Sequence, residues 1–102
     1  MEIKEIGEFG LIKLLAEGIK LDPNRVVLGI GDDAAVLKQD GSKLLLATTD
    51  TMTEGIHFLF STTSPEQLGY KSLTVNVSDI AAMGGLPTAA LVSLTLPKKI
   101  EC

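Results

Sequence analysis

The sequence predicts an α+β fold, a four-stranded mixed sheet with its helices packed on one face. Three observations indicate this class. Residues 3–19 repeat apolar side chains with helical spacing, residues 64–83 carry a second helical pattern, and short apolar runs bounded by turn residues lie between and after them. With 102 residues, the chain has room for one domain with one core.

The first helix is predicted from apolar residues that recur every three or four positions from Ile6 to Ile19, with Gly18 near its end. Gly7 and Gly10 weaken this pattern because glycine is a poor helix former. We nevertheless expect one amphipathic helix over this part of the chain.

Short strands are predicted after a turn at residues 22–24. Residues 26–28 form the first strand and lead into a glycine loop, and residues 34–37 form the second. Asp-Gly at the centre of residues 39–42 predicts the hairpin turn that follows. Residues 43–49 are apolar almost throughout, which predicts a third strand that is covered on both faces.

A further short extended segment is predicted at residues 54–58, with a long helix after it. Residues 64–67 (Ser-Pro-Glu-Gln) supply an N-cap, a proline at the first helical position and a capping box for that helix. The helix should run to Met83, because the glycines and proline of residues 84–87 end it. Residues 89–96 then predict a final buried strand.

When the helices pack on one face of such a sheet, the apolar side chains of the other face stay exposed to solvent. Self-association through the sheet is the economical way to cover it. The candidate residues for this face are Ala34, Leu44, Leu46 and Val92.

Composition and charge exclude several classes of partner. Thirteen Asp and Glu against nine Lys and Arg give a net charge of −4, and the basic residues are scattered, which argues against nucleic-acid binding. The apolar runs are far shorter than a membrane span needs, and no leader precedes them. The single cysteine, Cys102, allows no intrachain disulfide, so we expect a protein of the reducing cytoplasm.

Three groups of hard oxygen ligands point to magnesium and phosphate chemistry. They are residues 29–33 (Gly-Ile-Gly-Asp-Asp), residues 48–50 (Thr-Thr-Asp) and residues 76–79 (Asn-Val-Ser-Asp). Carboxylate, hydroxyl and carbonyl oxygens are the ligands that Mg²⁺ prefers, and converging carboxylates repel one another without a divalent cation. The glycine loop alone is a weak indication, because Gly-Asp and Asp-Asp turns also occur for reasons of backbone geometry.

Ser72, Asn76 and Asp79 lie four and then three residues apart, so they share one face of the second helix. A semi-buried polar site explains this stripe best, and a solvated stripe is the alternative. Asp50 also has a structural alternative, as the cap of the turn that follows its strand.

His57 is the only histidine of the chain. From composition alone, a hydrogen-bonded and half-buried residue beside Phe58 is favoured over a functional ligand. A zinc site is not expected from one histidine and one cysteine, and no Ser-His-Asp or Cys-His arrangement can be assembled.

In this order, the motifs resemble the N-terminal half of the thiamine-monophosphate kinases, a family among the aminoimidazole ribonucleotide synthetase-like enzymes that use ATP. The resemblance covers nearly the whole chain, and Thr-Asp-Thr followed by Gly-Ile-His-Phe is its most particular part. The matching segments are residues 7–9, 11–12, 29–36, 48–51, 54–58 and 71–85.

This resemblance implies transfer of the γ-phosphoryl group of ATP to thiamine monophosphate, giving thiamine diphosphate, with several Mg²⁺ ions in the site. It implies that His57 contacts the thiamine phosphate substrate and that Asp32 has a secondary role. No catalytic side chain is assigned, because the accepting phosphate oxygen is already ionised and needs no strong base. The residues that the resemblance assigns to the metal ions are Asp33, Thr48, Thr49, Asp50 and Asp79.

Enzymes of this family are longer than this chain, carry a second α/β domain and dimerise through the N-terminal sheet to close a barrel. The chain stops at residues 97–102 directly after a strand-like run, which also predicts a fragment. We therefore expect residues 1–102 to form an N-terminal metal/ATP-site and dimerisation domain. It should fold as a homodimer and have little or no kinase activity alone.

Two other interpretations stay open. One is a sister enzyme such as a selenophosphate synthetase or a hydrogenase-maturation protein, although those sequences commonly carry a reactive Cys or Lys near the N-terminus and residues 1–31 contain no Cys. The other is a non-catalytic dimerisation module whose acidic side chains are merely solvated. Magnesium titration distinguishes this module from the two kinds of enzyme.

Overall fold

The computed structural model describes residues 2–100 and contains two helices and three strands. The α+β class is therefore confirmed. In chain order the elements are α1 (Ile3–Glu17), β1 (Val26–Leu28), β2 (Ala35–Lys38), β3 (Leu44–Ala47) and α2 (Pro65–Ala82).

The three strands form one antiparallel sheet in the order β1-β2-β3. Between β2 and β3, Val36 pairs with Leu46, and the backbone N–H of Gln39 donates to the carbonyl oxygen of Lys43 at 3.3 Å. Gly41 has a φ of 76°, which the tight turn requires and which a glycine adopts without strain. The predicted hairpin is therefore confirmed.

The predicted fourth strand is not part of this sheet. Residues 89–96, which the structure describes throughout, pair with none of the three strands, and Leu91 and Val92 are 103% and 78% exposed. Apolar composition predicted this strand, but a strand also needs a neighbour for its backbone hydrogen bonds. The sheet is therefore three-stranded and antiparallel instead of four-stranded and mixed.

The burial of the strand side chains also differs from the prediction. Leu44 and Leu45 of β3 are exposed, Leu46 is half-buried, and the buried apolar residues of the described chain are Ala34 and Val36. The strand is therefore not covered on both faces, because neither helix lies flat against the sheet within residues 2–100.

The C-terminal end of α2 does approach the sheet. A β-carbon placed on Gly85 would collide with Cδ1 of Leu46 and lie 3.1 Å from Cγ2 of Ile80. Since glycine has no side chain, the chain can pass this point closely while the backbone N–H of Gly85 donates to the carbonyl oxygen of Ile80 at 3.0 Å. This contact sets where α2 ends relative to β3.

The start of α2 is the predicted capping box. The backbone N–H of Gln67 donates to Oγ of Ser64 at 3.1 Å, and the backbone N–H of Ser64 donates to Oε1 of Gln67 at 2.9 Å. Two backbone donors that the helix leaves unpaired are satisfied in this way. Gly84, with a φ of 73°, follows the C-cap Met83 as predicted for the stop.

Helix α1 is confirmed, with an interruption that periodicity did not predict. Gly7 has a φ of 71° and breaks the helical backbone, so two helical pieces meet there at a kink. A capping box between Glu2 and Glu5 starts the first piece, and α1 ends before Gly18.

Residues 54–58 form a tight turn, closed by a single bridge between Glu54 and Phe58, instead of an extended segment. Gly55 has a φ of 83°, a value that favours glycine. Over the part of the chain that the structure describes, no helix combines the length and the apolar character needed to cross a bilayer.

Candidate functional site

An open cavity of about 630 Å³ lies between the loop after β1 and the end of β3. Asp32 and Asp33 line it from the loop, and Thr48 and Thr49 line it from the strand end. Its remaining walls are apolar and include Leu21 and side chains of the sheet. Two of the three predicted groups of oxygen ligands therefore share one cavity.

The glycine loop is held by two hydrogen bonds that involve its aspartates. The backbone N–H of Asp33 donates to Oδ1 of Asp32 at 2.8 Å, and Oγ1 of Thr48 donates to the carbonyl oxygen of Asp33 at 3.0 Å. Gly31 has a φ of 130°, which a residue with a β-carbon adopts only under strain. Asp32 thus orients its neighbour, and Thr48 ties the loop to β3.

Gly29 allows a close approach at the other side of this loop. A β-carbon on Gly29 would lie 2.6 Å from Cδ1 of Leu21, so the leucine side chain packs directly against the glycine backbone. This contact forms part of the apolar wall of the cavity.

A second contact brings Asp50 and Asp79 together. Burial of Asp79 in α2 raises the pKa of its carboxyl group, and a hydrogen bond to Asp50 and repulsion from the Asp50 charge raise this pKa further. Asp50 is exposed and directly follows the cavity-lining Thr49 in the chain, whereas Asp79 is half-buried. A pair of carboxylates in this arrangement favours either a shared proton or a cation.

The predicted ligands thus form two neighbouring groups. Asp33 lies with Thr48 and Thr49 on the cavity, and Asp50 lies with Asp79. Among residues 2–100, no three Asp, Glu, His or Cys side chains come close enough together to hold a metal ion by themselves. The assignment of these five residues to Mg²⁺ stays a prediction.

The polar stripe of α2 is half-buried along its length, as predicted. Oγ of Ser72 donates to the carbonyl oxygen of Leu68 at 2.7 Å, and Nδ2 of Asn76 donates to that of Ser72 at 2.8 Å. Oδ1 of Asn76 is buried and accepts no hydrogen bond. Ser72 and Asn76 therefore bond to the helix backbone, and Asp79 is the member that meets another segment.

His57 is exposed, which contradicts the interpretation of this residue as half-buried. The backbone N–H of Thr53 donates to Nδ1 of the imidazole at 2.9 Å, so the proton of a neutral ring lies on Nε2. The second ring nitrogen therefore presents an N–H donor that suits a phosphate oxygen.

Lys71 also contacts the His57 loop, although no sequence motif marks it as a site residue. Its Nζ donates to the carbonyl oxygen of His57 at 3.2 Å. Sequence spacing gives no signal for this pair, because an irregular loop and the start of α2 separate the two residues.

Comparison with known proteins gives one family and a set of named relatives. The profile of "AIR synthase related protein, N-terminal domain" matches residues 31–101. A thiamine-monophosphate kinase of Aquifex aeolicus is 50% identical over 99% of this chain and 30% of its own length. Thiamine-monophosphate kinases of Bacillus subtilis and Escherichia coli K12 are 51% and 44% identical, over 72% and 89% of this chain and 23% and 28% of their own lengths.

The chain spans 23–30% of the length of these three curated relatives. No solved structure matches it significantly.

Proposed function

The chain belongs to the AIR synthase related proteins, as an N-terminal domain of that family, and on this premise we propose that it is part of a kinase for thiamine monophosphate. The reaction transfers the γ-phosphoryl group of ATP to the phosphate of thiamine monophosphate and yields thiamine diphosphate. Relatives that bear this name match nearly the whole chain, which supports the choice of substrate.

One observation carries the proposal: two acidic side chains from distant segments, Asp50 and Asp79, meet beside a cavity lined by Asp32, Asp33 and Thr48. Clustered carboxylates repel one another when both are ionised, and a bound cation removes this repulsion without requiring a proton on either group. A site that binds phosphate and divalent cations explains why these carboxylates lie close together.

The residues present fit Mg²⁺ by the chemistry of their donors. Asp33, Asp50 and Asp79 offer carboxylate oxygens, and Thr48 and Thr49 offer hydroxyl and carbonyl oxygens, all of the hard kind that Mg²⁺ binds. When bound, Mg²⁺ neutralises phosphate charge and aligns the phosphates. The raised pKa of Asp79 supports this set, because a cation would relieve the repulsion from Asp50 that contributes to the shift.

His57 is the proposed contact for the acceptor substrate. Its Nδ1 accepts a hydrogen bond from the Thr53 backbone, which leaves the N–H of a neutral ring on Nε2. In that state the ring donates a hydrogen bond to a phosphate oxygen of thiamine monophosphate. No general base is assigned, since the accepting phosphate oxygen is already ionised.

Residues 1–102 are proposed as the N-terminal metal/ATP-site and dimerisation domain, acting in the cytoplasm. Because the chain spans about 30% of the Aquifex aeolicus relative, we expect the rest of such a kinase to complete the ATP and substrate sites and this chain alone to be inactive. A homodimer formed through one face of the sheet would cover exposed apolar residues of that face, such as Leu44.

The proposal is tested with the full-length protein that contains this chain. Purified protein is incubated with thiamine monophosphate, ATP and a series of Mg²⁺ concentrations, and thiamine diphosphate is measured by chromatography. We expect product that requires Mg²⁺ and is lost when the metal is chelated. Product formation that is equally fast in a chelator would contradict the magnesium assignment.

A sister activity within the same family is the second candidate, because the matching profile covers related proteins in general. The same assay separates the two. A protein that hydrolyses ATP with Mg²⁺ but leaves thiamine monophosphate unchanged would overturn the substrate assignment and favour a sister enzyme.

A further inference from the structure

The loop that carries His57 is held together mainly by its own hydrogen bonds. The backbone N–H groups of Ile56 and His57 both donate to the carbonyl oxygen of Thr53, at 3.1 and 2.9 Å, and the N–H of Gly55 donates to the carbonyl oxygen of Phe58 at 2.8 Å. The imidazole itself closes the turn through Nδ1. The loop therefore has a defined internal shape.

Its position relative to the rest of the fold depends on a contact from α2. The Nζ group of Lys71 donates to the carbonyl oxygen of His57, and this bond joins two segments that are far apart in the chain. Within residues 2–100, a second side-chain hydrogen bond of comparable sequence separation joins Thr48 to Asp33 at the cavity. Each of these two bonds, like the contact between Asp50 and Asp79, involves a predicted site residue.

Lys71 and Asp79 lie on the same helix, about 12 Å apart along its axis at 1.5 Å per residue. A rigid helix therefore connects the lysine that holds the His57 loop with the acid that meets Asp50. Moving the loop away from Lys71 would change the distance between the proposed substrate contact and the proposed metal ligands.

We propose that Lys71 is a positioning residue for substrate binding: its ammonium group fixes the His57 carbonyl and so places the imidazole Nε2 for the acceptor phosphate. This inference rests on the proposed function. The lysine acts through His57, and its hydrogen bond goes to the backbone, so the side chain at position 57 can be tested separately. The ammonium group also places a positive charge next to the loop that receives an anionic substrate.

The test uses the full-length protein with three variants. Lys71→Met removes the ammonium group and keeps the length of the stem, Lys71→Arg keeps a cationic donor, and Lys13→Met in α1 is the matched control because it makes the same change on another helix. KM for thiamine monophosphate, KM for ATP and kcat are measured for each, together with hydrogen exchange of the amides of residues 53–58.

In Lys71→Met we expect KM for thiamine monophosphate to rise roughly tenfold, as for a lost charged hydrogen bond, while KM for ATP changes less than twofold. Exchange of the residue 53–58 amides should become faster in the same variant. Lys71→Arg should restore most of both properties, and Lys13→Met should match the wild type. A merely structural lysine would change both KM values together or neither.

Wild-type kinetics and wild-type exchange in Lys71→Met would overturn the inference, as would equal losses for both substrates. If the parent protein leaves thiamine monophosphate unchanged, the proposed function fails, and the exchange measurement still decides whether Lys71 holds the loop. Should Lys71→Met fold poorly, Lys71→Gln is measured in its place. We expect the same rise in KM for thiamine monophosphate and the same faster exchange of the residue 53–58 amides.

Discussion

At the scale of single residues, the contact between Asp50 and Asp79 is the feature of this chain most sensitive to charge. Burial, the hydrogen bond to Asp50 and the Asp50 charge all raise the pKa of Asp79. An acid whose pKa is raised in the folded state stabilises the fold when protonated. This contribution is complete below the ordinary value of 3.8 and is lost as pH rises through the raised pKa.

The first prediction concerns this coupling. In a metal-free solution, Asp50→Asn should lower the pKa of Asp79 towards its ordinary value, because the Asp50 charge is removed while the burial remains. Carboxyl chemical shifts followed by NMR against pH measure the change. The control is Asp40→Asn in the hairpin turn, which should leave Asp79 as it is, and an unchanged Asp79 in Asp50→Asn would contradict the coupling.

The second prediction concerns stability and pH. Asp79→Asn should remove the part of the pH dependence above 3.8 that Asp79 contributes, because the carboxyl group that binds its proton more tightly in the folded chain is then absent. Thermal unfolding over a pH series in a chelator measures this dependence. If the curves of Asp79→Asn and wild type have the same shape, the raised pKa does not contribute to stability.

The residue contacts were predictable in part. The sequence singled out Asp33, Asp50 and Asp79 from their motifs, and spacing along the helix placed Asp79 on a half-buried stripe. The bond from Lys71 to the His57 backbone was not predictable, because a backbone carbonyl has no sequence signal and an irregular loop fixes its position. Neighbouring residues in space carry a sequence signal only where a regular element relates them.

At the scale of elements, the helix start and the hairpin were predictable because their signals are local. Ser64 and Gln67 are three residues apart and satisfy each other, and Asp-Gly at residues 40–41 fits the turn that it forms. The strand at residues 89–96 was predicted from composition and did not form. A segment becomes a strand only beside a partner strand, which composition cannot specify.

The third prediction concerns the cap of α2. Ser64→Ala should weaken the first turn by about 1 kcal/mol, because the backbone N–H of Gln67 loses its acceptor. Hydrogen exchange at Gln67 should then be roughly fivefold faster. Ser61→Ala, in the preceding turn, is the control, and equal exchange in the two variants would contradict the role of the cap.

The fourth prediction compares two glycines of the α2 region. Gly69→Ala should stabilise the protein by about 0.5–1 kcal/mol, because alanine is the better helix former and its β-carbon meets open space. Gly85→Ala should destabilise it by about 1 kcal/mol, because the new methyl group collides with Leu46. Denaturant unfolding measures both, and a Gly85→Ala variant as stable as wild type or more stable would show that the approach of α2 to β3 is not tight.

At the scale of the whole molecule, the chain buries little of its apolar surface. Its radius of gyration is 16.8 Å, against about 13 Å for a compact domain of this length. Long apolar side chains of residues 86–96 are exposed, and within residues 2–100 the buried apolar residues are Ala34, just before β2, and Val36 in β2. Surface of this kind indicates further protein contacts, in line with relatives that are longer than this chain.

The fifth prediction concerns self-association through the sheet. The full-length protein should be a dimer by analytical ultracentrifugation, and Leu44→Glu should shift it towards monomer, because a charge at an apolar interface is costly to bury. Leu14→Glu, at an exposed leucine of α1, is the matched control. A dimer that tolerates Leu44→Glu, or a monomeric wild type, would contradict the proposed interface.

In the proposed magnesium–phosphate site, acidic residues from separate segments of the chain bind the same ions and phosphates. The decisive measurement is the rate of thiamine diphosphate formation by the full-length protein, compared between Asp50→Asn and Asp40→Asn. We expect a loss of about a hundredfold or more in Asp50→Asn, and a rate close to wild type in Asp40→Asn. A wild-type rate in Asp50→Asn at limiting Mg²⁺ would contradict it.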